Sequence, residues 1–326
     1  MTAAFTFCVL AYNHEKYILE HLDSIKYQVT EYGREVDVSL IINDDCSSDA
    51  TLNLVEGWVS ENNHFFKDIL KLFNEKNIGT CKSLINVAKS IKTKYCKITA
   101  GDDVYTQNNI FDLIQENPDY SLMSGVPVRL VDGEVKVSLF EVFNYFASDY
   151  IYKKRSLLYR LSNLSVINAP NLFYGTHHLK EDSVVSFLKG FDVVEDLPLQ
   201  VSIALSDSNS NIISKKLPIV FYRRTSGSTY LIENKKFTKD QVKMFDFLIS
   251  HYQNNGDHIQ AALLRNRKFV FLQKNKAIKK IFNLSYYLYL ARMFFHLPKI
   301  MRDYKRVKLN SSEYQKFYDA LKDGRR

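Results

Sequence analysis

The sequence predicts an α/β fold: a mixed, mostly parallel sheet flanked by helices, with a helical extension toward the C-terminus. Three observations carry this. From Phe5 to about Tyr120, short β-branched runs alternate with segments of helical apolar spacing. Two of those runs end in acidic pairs, Asp44-Asp45 and Asp102-Asp103. Beyond Asn234 the strand signal stops and helical periodicity continues.

Phe5 to Ala11 is apolar and β-rich and reads as the first strand. Ile18, Leu22 and Ile25 follow at helical spacing and mark a buried stripe. Val36 to Ile42 is the second strand, and Thr51 to Trp58 begins the second helix. Ile69 to Phe73 reads as a third strand, and Leu84, Val87, Ala88 and Ile91 mark a third helix. Tyr95 to Thr99 is the fourth strand. Such an order needs right-handed crossovers and therefore parallel strands. After Pro118 the regularity changes. Ser121 to Val137 reads as strands turning at Asp132-Gly133, with Met123 to Val128 extending the sheet in mixed direction. Ala169 to Ile213 reads as loop, helix, helix, with Glu195-Asp196 at a helix start. Leu217 to Arg224 is one more strand, closed by Thr225-Ser226-Gly227-Ser228. The expected division is a main domain over residues 1–232 and a helical extension over 233–326.

Hydrophobic content of 46% with only 11 Gly and 6 Pro excludes a largely disordered or fibrous chain. The net charge of +8 is unevenly placed, because Lys and Arg crowd the C-terminal part. Cys8, Cys46, Cys81 and Cys96 show no zinc or redox spacing. Isolated thiols of this kind fit a reduced, cytoplasmic protein. Met1 leads straight into strand-like residues, so no secretory signal is expected. No apolar run approaches the roughly 18 residues a membrane span requires.

Open α/β sheets bind ligands outside the carboxyl ends of their strands. Two strands delivering acidic pairs to that edge point to a metal-bound, phosphate-bearing ligand, since hard divalent cations take oxygen ligands. Each pair also has a plainer reading. Asp44 and Asp45 could cap the following helix, and Gly101-Asp102-Asp103 could be a polar turn.

Six segments, in this order and spacing, carry a family resemblance. They are Val9-Leu10-Ala11-Tyr12-Asn13, the loop Asp44 to Thr51, Asn77-Ile78-Gly79, Ala100-Gly101-Asp102-Asp103, Gly190-Phe191-Asp192 leading to Glu195-Asp196, and Phe221-Tyr222-Arg223-Arg224. Together they resemble the family 2 inverting glycosyltransferases, whose nucleotide-diphospho-sugar-binding fold is GT-A, over about residues 5 to 230. The resemblance implies that Ala11, Tyr12, Asn13 and Asp44 hold the base and ribose of a nucleotide-sugar, with Asp45 and Gly79 in the same site. It implies that Asp102 and Asp103 hold Mn²⁺ or Mg²⁺ on the diphosphate. Asp196 would be the general base, with Glu195 second; acidic residues there also suit a helix first turn. Lys82 is spaced to approach the diphosphate, although a surface lysine is the plainer reading.

Two departures from the family pattern stand out. Ala100 replaces the leading Asp of the usual Asp-x-Asp, and Thr225 stands where many relatives carry a His. Arg223, Arg224 or the Ser226-Gly227-Ser228 loop would compensate by binding phosphate. His177 and His178 sit where an acceptor would approach, without metal-ligand spacing.

Residues 265 to 308 interleave basic and aromatic side chains, such as Lys279, Lys280, Phe294, Phe295, Arg302 and Lys305. Such a helix could lie on an anionic membrane, cap the main domain, or pair subunits as a homodimer. No nucleic-acid-binding module is present. The resemblance implies transfer from a UDP-sugar, UDP-hexose or UDP-N-acetylhexosamine, to a saccharide acceptor linked to polyprenyl diphosphate, in capsule, O-antigen or exopolysaccharide synthesis. The expected location is cytoplasmic, peripheral on the inner membrane. A non-catalytic scaffold of the same fold is the alternative, kept open by Ala100 and Thr225. A nucleotidyltransferase would need a Gly-rich, basic loop where Ala11 to Tyr17 stands.

Overall fold

The computed structural model describes residues 3–224, 235–307 and 309–324. The first part alternates as expected: β1 (Ala3–Ala11), α1 (Ile18–Tyr32), β2 (Val36–Asp44), α2 (Thr51–Asn62), β3 (Asp68–Phe73), α3 (Thr80–Ser90) and β4 (Tyr95–Ala100). The four strands are parallel, in the order β3-β2-β1-β4. Period-two alternation sorts their side chains between two cores. Phe5, Phe7 and Val9 of β1 meet Ile18, Leu22 and Trp58 of α1 and α2, whereas Cys8 and Ile41 share the other core with Leu84 and Val87 of α3.

Next come β5 (Val104–Tyr105), α4 (Ile110–Gln115), β6 (Leu122–Ser124), β7 (Val128–Val131) and β8 (Glu134–Lys136). The chain does reverse between β7 and β8 at Asp132-Gly133. The expected extension of the main sheet by Met123 to Val128 does not hold. That stretch breaks at Gly125-Val126-Pro127, because Pro127 has no N–H to carry a ladder onward. β6 pairs instead with later strands in a separate three-stranded sheet, and β7 joins a four-stranded one.

The middle of the chain holds α5 (Leu139–Tyr152), α6 (Leu157–Leu161), β9 (Leu172–Tyr174), α7 (Thr176–Leu179), α8 (Asp182–Leu188), α9 (Asp196–Ser206), β10 (Ile212–Ser214) and β11 (Val220–Arg223). The short strands β9 and β10 flank β6, and their three residues apiece leave too little periodicity to read from sequence. β11 lies between β5 and β7.

The rest is helical: α10 (Lys235–Asn254), α11 (His258–Leu272), α12 (Lys276–Ile281), α13 (Leu284–Arg306) and α14 (Ser311–Asp323). These helices join the cores of the preceding sheets. Met244, Leu248 and Leu264 of α10 and α11 pack with α3 and α9. Tyr289 and Ile300 of α13 pack on α5, and Tyr314 and Tyr318 of α14 pack on Val128 and Phe221. Among the described residues, no helix is long and apolar enough to cross a membrane.

Buried Asn171 staples β11 in place. Its Oδ1 accepts from the backbone N–H of Ile219 (2.7 Å) and Val220 (2.9 Å), and its Nδ2 donates to the Val220 carbonyl (2.9 Å). Asn171→Ala strands these buried backbone groups without partners. We expect a loss of about 3 kcal/mol in urea unfolding, on the known cost of unpaired buried donors.

Candidate active site at the carboxyl edge of the sheet

The loops after β1 and β2 are laced together at the carboxyl edge. Asn13 adopts φ 55°, a conformation its short polar side chain tolerates. Its Oδ1 accepts from Ser48 N–H at 2.8 Å, and its own N–H donates to Ser47 Oγ at 2.9 Å. His14 N–H reaches Thr51 Oγ1 (2.8 Å), and Glu15 Oε2 accepts from Ala50 N–H (3.0 Å). Tyr12 is exposed at the rim and Ala11 is buried beneath it.

Asp44 and Asp45 divide their work, and neither caps α2. Asp44 accepts from the N–H (2.8 Å) and Oγ–H (2.5 Å) of Ser47, which fixes the loop and leaves further lone pairs on both oxygens. Asp45, expected on the donor, faces the next loop instead. It accepts from Asn74 Nδ2 and from the N–H groups of Ile78 and Gly79, all at 2.9 Å. Its carboxylate is thereby committed to folding Asn77-Ile78-Gly79. Gly79 takes φ 88°, open to glycine at little cost, and a Cβ there would stand 3.1 Å from the Asp192 carbonyl. Lys82 is exposed on the first turn of α3.

The second acidic pair is likewise asymmetric. Asp102 is partly exposed and forms no salt bridge among the described residues. Asp103 is buried, and its Oδ1 accepts from Arg223 N–H at 3.0 Å. Burial, then the charge of Asp102, pushes the Asp103 carboxyl well above its ordinary range. Gly101 makes this loop fit: a Cβ would lie 2.7 Å from Ile18 Cδ1.

Arg223 was expected to bind phosphate, and its guanidinium is instead sequestered. Nε donates to the Asp102 carbonyl (2.6 Å), Nη2 pairs with Glu20, and the group lies 4.5 Å from the Tyr17 ring centre. Tyr318 Oη of α14 donates to the same Glu20 oxygen at 2.7 Å. Arg224 pairs with Glu141 at 3.8 Å. Thr225 and the Ser226-Gly227-Ser228 loop lie outside the described residues.

Glu195 and Asp196 stand at the N-terminus of α9, as expected. They keep partial contact with solvent but are closely surrounded by protein. Burial raises the Asp196 carboxyl to about 6, opposed by the nearby Lys97 charge. Burial and then Asp196 raise Glu195 well above its usual range. The loop leading to them is moored from afar. Asp240 of α10, itself buried, accepts at Oδ2 from the N–H groups of Asp192 (2.9 Å), Val193 (2.8 Å) and Val194 (3.1 Å).

Sequence reasoning missed Lys97, Glu20, Tyr318 and Asp240. Lys97 is fully buried in β4, where its Nζ donates to the Ile98 carbonyl at 2.9 Å. Burial lowers its pKa to about 8, while Asp103 and Asp196 both act to raise it, so one ammonium serves both carboxylates. A lysine inside an apolar strand was the readable signal. Asp240 offered none. His178 is buried with Nδ1 2.8 Å from Glu181 Oε1, and its neighbour His177 is exposed.

Among the described residues, no three His, Cys, Asp or Glu side chains gather around one point as a metal cage. The free carboxylate of Asp102 still suits a hydrated Mg²⁺ or Mn²⁺ held mainly by a ligand's phosphates, which needs only one or two protein oxygens.

Comparison with known proteins agrees with this geometry. A family model described as glycosyl transferase family 2 matches residues 6–170. The chain is 34% identical over 97 residues to an uncharacterized protein of Mycobacterium tuberculosis, and 28% identical over 105 residues to the abequosyltransferase RfbV of Salmonella typhimurium. These matches cover 30% and 32% of this chain and only 26% and 30% of those proteins. Among solved structures, S. aureus TarS 1-349 in complex with UDP-GlcNAc superposes with a TM-score of 0.58 at 17% identity, covering 98% of this chain and 92% of that one. The mannosyltransferase PcManGT from Pyrobaculum calidifontis, in complex with GDP-Man and Mn²⁺, gives 0.52 at 16%, covering 97% and 85%. At such identities the likeness shows the GT-A fold.

The Asp240 mooring is testable by hydrogen exchange. Asp240→Ala removes a charged acceptor from three amides, each such bond being worth about 1.5–3 kcal/mol. The amides of Asp192, Val193 and Val194 are expected to exchange at least about tenfold faster, while those of β1 and β2 keep their protection.

Proposed function

The chain belongs to glycosyl transferase family 2, and on that premise we propose that it transfers a sugar from a UDP-sugar to a saccharide hydroxyl with inversion of configuration. The donor is a UDP-hexose or UDP-N-acetylhexosamine. The acceptor is carried on polyprenyl diphosphate at the cytoplasmic face of the inner membrane, in surface-polysaccharide assembly. The observation that carries the reading is the division of the carboxylates. Asp45 and Asp240 each accept three hydrogen bonds in holding loops, and Asp103 is buried and accepts the Arg223 N–H, whereas Asp44, Asp102 and Asp196 keep lone pairs for a ligand.

In this reading Tyr12, Asn13 and Asp44 receive the nucleoside, whose N–H and hydroxyl groups a carboxylate accepts well. Asp102 would hold a divalent cation, which when bound neutralises charge on the departing diphosphate. Asp196 takes the proton of the acceptor hydroxyl as it attacks the anomeric carbon. A buried carboxylate poised near 6 is mostly ionised at neutral pH yet basic enough for that task. Lys97 steadies the ionised form.

Calorimetric titration with UDP, GDP, CMP and dTDP, with Mn²⁺ and then EDTA, tests the donor site. UDP should bind selectively, and Asp102→Asn should abolish its metal dependence. Absence of binding by all four would sink the reading.

Asp196→Asn is expected to lower kcat by about 10²–10⁴ with donor affinity preserved, the range for loss of a general base. Because the active form is the deprotonated one, wild-type kcat/KM should fall about tenfold per pH unit below about 6 and level off above it. A flat profile down to pH 5 would remove Asp196 from that role.

A further inference from the structure

α13 has two unlike faces. One packs on α5 through Tyr289 and Ile300. The other shows Leu284, Tyr287, Leu288, Phe294 and Phe295 to solvent, the last two 72% and 82% exposed. These positions recur at helical spacing and form one stripe. Exposed basic side chains bracket it, Lys279 and Lys280 of α12 before and Arg302 and Lys305 after. Contiguous apolar surface of this kind marks a docking site rather than ordinary exposure.

Beside the stripe lies a cleft of about 210 Å³ between α5, α6 and α13, lined by Ile151, Arg155, Tyr159, Arg292, Phe295 and His296. Arg292 Nη2 donates to Tyr159 Oη at 3.3 Å, and the Arg155 guanidinium lies 5.0 Å from the centre of the same ring. Two guanidiniums and an imidazole meet here, and the lining contains no carboxylate. Guanidinium groups in this setting bind phosphate with two parallel hydrogen bonds. Phe295 belongs to both features, so an anion in the cleft would sit at the edge of the apolar stripe.

We propose that this cleft seats the phosphate of an anionic lipid headgroup while the aromatic stripe of α13 rests in the bilayer interface. An amphipathic helix with basic flanks lies in that plane, its aromatic rings at headgroup depth. A second copy of the chain fits worse. Pairing two stripes about a twofold axis brings basic flanks onto basic flanks. The site is separate from the acidic loops and does not depend on which nucleotide-sugar they bind.

Flotation with phosphatidylcholine vesicles, with and without phosphatidylglycerol, provides the test on the full chain. The protein should float only with phosphatidylglycerol present. Arg155→Gln/Arg292→Gln should weaken partitioning about 30-fold, from about fivefold for each basic group at the surface. Phe294→Ser/Phe295→Ser should abolish flotation, and both variants should retain wild-type circular dichroism and UDP binding. Wild-type protein that stays with the aqueous layer, or variants that float undiminished, would overturn the proposal. Calorimetric binding of inorganic phosphate that needs both arginines, without flotation, would assign the cleft to a free anion and overturn it too. So would a dimer by light scattering that Phe294→Ser/Phe295→Ser dissociates. Loss of UDP binding in wild-type protein that still floats would count against the donor reading alone.

Discussion

A guanidinium taken out of water must find a carboxylate and acceptors for its remaining donors, and Arg223 satisfies that demand by gathering four residues from three distant stretches of the chain. Glu20 comes from α1, the carbonyl of Asp102 from the loop after β4, Tyr17 from the loop after β1, and Tyr318 from α14. Removing one partner of a buried pair typically costs about 3–5 kcal/mol, because the other charge is left stranded. That penalty holds the acidic loop against α1 and holds the C-terminal helix onto the sheet. Arg223 thus acts on the site from behind, through the backbone carbonyl of Asp102 and the carboxylate of Asp103.

The same economy governs the carboxylates. A carboxylate that accepts two or three backbone N–H groups is a structural part, and Asp45 and Asp240 are built that way. Each moors a loop at the carboxyl edge: Asp45 the turn at Gly79, beside the Asp192 carbonyl, and Asp240 the segment leading to Asp196 at the head of α9. Lys97 joins the two sides, since its ammonium acts on both Asp103 and Asp196. Burial makes such charges interact strongly, because little water remains to screen them.

The helical region beyond residue 235 serves two surroundings at once. Its inward residues complete the cores of the sheets, and Asp240 reaches the loop before Asp196. Its outward residues leave an aromatic stripe with basic flanks. The packed cap that its composition allows is one face of α13, and the opposite face leaves its aromatic side chains exposed.

What the sequence determined by itself was local and periodic. Alternating strands and helices up to Tyr95–Ala100, the reversal at Asp132-Gly133, the acidic strand ends and the helix start at Asp196 all rest on spacing within a few residues. Propensity and period act at that range. The tertiary structure decided which carboxylate is spent and which is available, because that depends on partners far away in the chain: Asp45 on Gly79, Asp103 on Arg223, Asp192 on Asp240. Asp44 and Asp45 are identical in type and adjacent in sequence. Only the fold, which ends β2 at Asp44 and opens the next loop at Asp45, gives them different neighbours, Ser47 for the one and Asn74, Ile78 and Gly79 for the other.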